Sequence, residues 1–73
     1  MKSGQERTEK MVLGSIDCYM RGEKNLKWIE GIIKTSGLRK EVLKRIFAAY
    51  RETYAERPMF QELEKKCIEM GYI

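Results

Sequence analysis

Apolar residues recur along this chain at three- and four-residue intervals, and nowhere do they alternate one by one as a half-buried strand requires. Four segments carry this helical period. In the first, residues 5–20, Val12, Leu13, Ile16, Tyr19 and Met20 fall within an arc of roughly 120° at about 100° per residue. In the second, residues 24–36, Leu26, Trp28, Ile29, Ile32 and Ile33 cover roughly 160°, wide enough to meet neighbours on two sides. The third, residues 38–56, carries an unbroken stripe of Val42, Leu43, Ile46, Phe47, Tyr50 and Tyr54. In the fourth, residues 58–70, the expected buried side is Phe60, Leu63, Cys67, Ile68 and Met70.

The punctuation between the segments agrees with this reading. Gly22, Gly37 and Gly71 each follow a periodic stretch, where a left-handed residue ends a helix most easily. Pro58 pushes Arg57 out of helical geometry. It also suits the first position of the next helix, where its missing N–H leaves no bond unmade. Glu62 and Glu64 lie toward that helix's positive end. Gly31, beside Trp28, is expected to admit a close backbone neighbour, and the tail Tyr72-Ile73 to fold back on the core. The expected fold is all-α: a compact single-domain bundle of four short helices, the second and third central, with residues 1–4 as a disordered N-terminus.

Length supports one domain, since 73 residues leave no room for a second. A domain of this size buries only about 60% of its unfolded surface, so efficient helix packing must supply the stability. Two cysteines, Cys18 and Cys67, are too few for a disulfide scaffold and read as reduced, buried thiols, with a single bridge between them as the alternative. No apolar run approaches the roughly 20 residues of a membrane span. The N-terminal residues lack the apolar core of a signal peptide. A cytoplasmic protein without membrane contact is expected.

Charge is the most informative feature. The formal net charge is +4, and its distribution is uneven. Residues 1–20 and 46–73 are nearly balanced, whereas residues 21–45 hold eight basic side chains against three acidic ones. On the third helix Lys40, Lys44 and Arg51 share one face and have no carboxylate at helical i, i+4 spacing, while Glu41 and Arg45 are so placed. A row of uncompensated cations suits a phosphate backbone. The expected nucleic-acid surface is therefore Lys34, Arg39, Lys40, Lys44, Arg45 and Arg51, at the junction of the second and third helices.

Around Gly37 the sequence partly matches a helix-turn-helix over residues 29–48. Ile32, Leu38, Leu43 and Ile46 occupy its hydrophobic positions. Ile33 stands where a small residue is usual, and Ser36 where an apolar one is. In a second register, residues 41–72, with Ile46, Phe47, Tyr50, Pro58 and Leu63, look like the first two helices of a winged-helix repressor domain; a recognition helix would then follow Ile73. Neither register is complete enough to assign a family.

A different surface is also open to interaction. Met11 and Cys18, at i, i+7 off the main stripe of the first helix, and Trp28, at the edge of a wide apolar arc, suit a partner helix or a second copy of the chain. Ordinary packing explains the same residues, and an apolar stripe explains Tyr50 and Tyr54 better than base stacking does.

Catalysis finds no footing. The chain has no histidine, no GxSxG, no phosphate-cradling glycine loop and no CxxC pair. The serines and cysteines have no evident base. No enzyme activity, small-molecule substrate, cofactor or metal is expected. Two functions stay open: a small regulatory protein binding nucleic acid, DNA before RNA, or a helical module or inhibitor docking on a larger protein. Either can act as a homodimer.

Overall fold

The computed structural model describes residues 3–73. Among them the fold is all-α, with α1 at Ser3–Met20, α2 at Leu26–Ser36, α3 at Lys40–Tyr54 and α4 at Pro58–Met70. Two compact units result, one up to Leu38 and the other from Arg39 onward.

In the first unit α1 packs on α2. Helix α1 starts at Ser3, so Ser3 and Gly4 are helical rather than part of a disordered terminus; Met1 and Lys2 lie outside the described residues. Two i, i+4 links hold this first stretch. The Thr8 hydroxyl donates to the Gly4 carbonyl at 2.9 Å, and Gln5 Nε2 donates to Glu9 Oε2 at 3.2 Å. The helix ends in a Schellman turn with Gly22 at φ 83°. There the Glu23 N–H reaches the Cys18 carbonyl at 3.0 Å and the Gly22 N–H reaches Tyr19 at 2.9 Å.

Helix α2 begins two residues later than the expected Lys24. The Asn25 side chain accepts from the Trp28 N–H at 2.8 Å and so acts as N-cap, satisfying one of the orphan donors of the first turn. At the other end Ser36 Oγ donates to the Ile33 carbonyl (2.8 Å) and accepts from the Leu38 N–H (3.2 Å). A polar residue at this position thus has a local task in ending the helix. Val12, Ile16, Tyr19, Met20, Ile29 and Ile33 are buried, whereas Leu13, Leu26, Trp28 and Ile32 are half-buried. Gly31 corrects an expectation: a Cβ there would meet nothing within 4 Å, so no backbone approaches it.

In the second unit α3 packs on α4. Helix α3 is two residues shorter at each end than the period suggested. Leu38 and Arg39 precede it, with Arg39 extended (φ −68°, ψ 153°), and Ala55 and Glu56 form the turn into α4. Gln61 Nε2 donates across that turn to the Ala55 carbonyl at 3.0 Å. Pro58 starts α4 as expected, and a second Schellman turn ends it at Gly71.

Phe47 and Phe60 are fully buried with ring centroids 5.8 Å apart, and Tyr54 lies 6.4 Å from Phe60. Val42, Leu43, Ile46, Leu63 and Cys67 complete this buried set. Each such side chain is worth about 1.5–3 kcal/mol when fully buried. Ile68 and Met70 do not belong to it: they are 58% and 47% exposed. The buried face of α4 follows Phe60, Leu63 and Cys67, and Ile68 is turned about 100° from Cys67. Met70 is the helix's last residue.

Candidate functional site

The helical turn angle puts Lys40, Lys44 and Arg51 within about 40° of one another on α3. All three are exposed. Lys40 and Lys44 have no carboxylate within ion-pair distance among the described residues. Arg51 differs, and here the sequence expectation is corrected. Its Nε donates to Glu64 Oε2 of α4 at 2.8 Å, and its Nη2 donates to the same oxygen. The partner lies thirteen residues away on another helix, beyond any within-helix spacing. The row therefore shortens to two unneutralised lysines.

Lys40 is the first residue of α3, and Lys44 lies one turn further in. Arg39 is the N-cap of α3, yet no side chain caps the helix. The first-turn N–H groups carry partial positive charge, and Arg39 and Lys40 add cations at the end where the macrodipole disfavours them. Anions settle at such helix ends. Glu41 is the one acidic residue in that turn.

The remaining basic candidates have more local explanations. Lys34 is exposed in the last turn of α2, where a cation complements the negative helix end, and it belongs to the first unit. Arg45 is exposed and takes part in an interaction of its own. Tyr50 and Tyr54 stack on each other at 5.8 Å with 16° between planes, and the Arg57 guanidinium lies 5.7 Å from the Tyr54 centroid. Rings so engaged are not open platforms for bases.

On the first unit Met11 is 47% exposed and Cys18 half-buried. Between them Ser15 is buried, its hydroxyl donating to the Met11 carbonyl at 2.7 Å. Arg21 donates to Cys18 Sγ at 3.4 Å and to Glu23 Oε2 at 2.9 Å. The Arg21 hydrogen bond, and then its charge, hold the Glu23 carboxyl below its ordinary pKa; the same contacts raise that of Arg21. Trp28 is half-buried, with Lys24 Nζ 5.4 Å from its ring centroid.

A groove on the second unit was not legible in the sequence. A cavity of about 440 Å³ opens between α3 and α4, lined by Lys44, Phe47, Ala48, Arg51, Ile68 and Ile73. Assigning Ile68 to the buried side hid it. Among the described residues no cluster of three or more His, Cys, Asp or Glu stands ready for a metal, and no helix is long and apolar enough to cross a membrane. Cys18 and Cys67 carry free thiols. Compared with protein-family models, curated proteins and solved structures, the chain finds no match.

Proposed function

We propose that this all-α protein is a small regulatory protein that binds nucleic acid, DNA in preference to RNA, through the N-terminal half of α3. Arg39, Lys40 and Lys44 supply the phosphate contacts, with Arg45 beside them. The observation that carries this reading is the exposed, unneutralised Lys40–Lys44 pair at a helix start that no side chain caps. Two like charges at i, i+4 and cations at a positive helix end each disfavour the isolated helix by some tenths of a kcal/mol. A polyanion turns both costs into binding energy.

The test is charge reversal. Lys40→Glu with Lys44→Glu abolishes binding to random-sequence duplex DNA while leaving helicity unchanged, because both side chains point into solvent. Undiminished binding by that variant contradicts the assignment. A second reading is a module that docks on a larger protein through the α1 face that carries Met11, 47% exposed, and Cys18, half-buried. In that case Met11→Ser removes partner binding and added salt leaves it almost unchanged.

A further inference from the structure

Trp28 stands among cations on the first unit. It is half-buried, Lys24 Nζ lies 5.4 Å from its ring centroid, and no aromatic ring stacks on it among the described residues. On α2, Lys27 and Lys34 project about 20° apart and are separated by about 10.5 Å along the axis, while Trp28 projects about 100° from Lys27. The strip between them holds Gly31 and Thr35, both exposed and neither charged. Lys27 and Lys34 are exposed, with no carboxylate within ion-pair distance among the described residues. Glu30 has the i, i+4 spacing to Lys34 without coming that close, and it projects about 160° from Trp28. Glu23, the other carboxylate nearby in the chain, is held by Arg21.

We propose that this face of α2 binds single-stranded nucleic acid, with a base stacked on Trp28 and backbone phosphates on Lys27 and Lys34. An aromatic ring beside a cationic track is how single strands are held with little regard to sequence. A duplex keeps its bases stacked on one another and has none to offer the ring, so this face and the α3 surface take different forms of nucleic acid. Lys24 does not close the ring off. Its contact is weak at an exposed site, and on its flexible stem the ammonium exchanges the indole for an incoming phosphate. Tyr50 and Tyr54 have no such freedom, since each covers the other. The site lies wholly within the first unit and holds whether or not α3 binds duplex DNA.

Trp28 is the chain's one tryptophan, so its emission reports the contact directly. The test is titration of the whole chain with an oligothymidylate of about 12 nucleotides at about 50 and 200 mM salt. Tryptophan fluorescence and the anisotropy of a labelled strand are read together. The expected result is quenching that tracks binding, and no quenching by an abasic strand of the same length. Trp28→Leu weakens binding about tenfold. Lys27→Glu with Lys34→Glu removes two phosphate contacts and makes the log–log salt slope shallower by about 1.4. Both lysines are exposed, so this variant keeps the fold should Trp28→Leu alter packing. Lys40→Glu with Lys44→Glu leaves the quenching unchanged, so failure of this site and failure of the α3 surface are separate results. No binding at the lower salt, binding without quenching, or quenching indifferent to the Lys27 and Lys34 substitutions overturns the proposal. So does a response to phosphatidylserine vesicles in place of the oligonucleotide, which would make a membrane surface the occupant.

Discussion

Gly14 and Gly31 sit inside helices α1 and α2, in positions where the structure gives glycine no task. Both are exposed, neither has positive φ, and a Cβ at either would meet nothing within 4 Å. Glycine in a helix interior costs about 0.5–1 kcal/mol relative to alanine, because the unfolded chain loses more freedom on ordering. Neither position has a neighbour in reach, so the two substitutions share no partner and should add. Gly14→Ala with Gly31→Ala is expected to stabilise the chain by about 1–2 kcal/mol. For a domain this small, each kcal/mol moves the midpoint by about 4–8 °C, so a rise of about 4–16 °C is expected in a thermal melt followed by circular dichroism. The same substitution at Gly22, Gly37 or Gly71, with φ between 75° and 84°, should act in the opposite direction. Placing an L side chain in that region costs roughly 1–2 kcal/mol. A fall in midpoint for the Gly14/Gly31 double variant would refute the reasoning, since it would mean that something packs on one of these surfaces.

Three further outcomes follow from particular contacts. Asn25→Ala removes the side chain that accepts from the Trp28 N–H and should cost about 1 kcal/mol in denaturant titration; an unchanged midpoint would show that the cap contributes nothing. Glu64→Gln withdraws the charge that neutralises Arg51, so DNA binding should tighten and its salt slope steepen by about 0.9, and an unaltered slope would place Arg51 away from the nucleic acid. The folded pKa of Glu23 is depressed, so its pairing with Arg21 contributes above the ordinary glutamate range and is lost as pH falls through the lowered folded value. By NMR titration Glu23 should ionise below its usual range, and Arg21→Gln should return it there.

Helix existence was legible because periodicity and helix breakers point the same way. Pro58 starts α4, and Gly22 and Gly71 close α1 and α4 with the hydrogen bonds their positions imply. The errors at element ends arise where side-chain chemistry overrides period. Asn25 starts α2 later than Lys24 by capping, and its signal, an N-cap residue before the apolar Leu26, was present in the sequence. The basic face of α3 was legible from helical spacing alone. The neutralisation of Arg51 was not, because its partner Glu64 comes from the next helix. The groove escaped for a related reason: a four-residue period places Ile68 only loosely, and whether it turns inward depends on which face of α4 meets α3.

The most direct test of the central claim is the salt dependence of duplex DNA binding, read by fluorescence anisotropy at about 50 and 200 mM salt, for the wild-type chain and for Lys40→Glu with Lys44→Glu. Three phosphate contacts, from Arg39, Lys40 and Lys44, give a log–log slope of about −2.7 and a loss of about 40-fold in affinity over that range. The expected result is that slope in the wild-type chain and no measurable binding by the variant. Absence of binding at low salt, or a slope that the two substitutions leave unchanged, would contradict the assignment of α3 as a nucleic-acid surface.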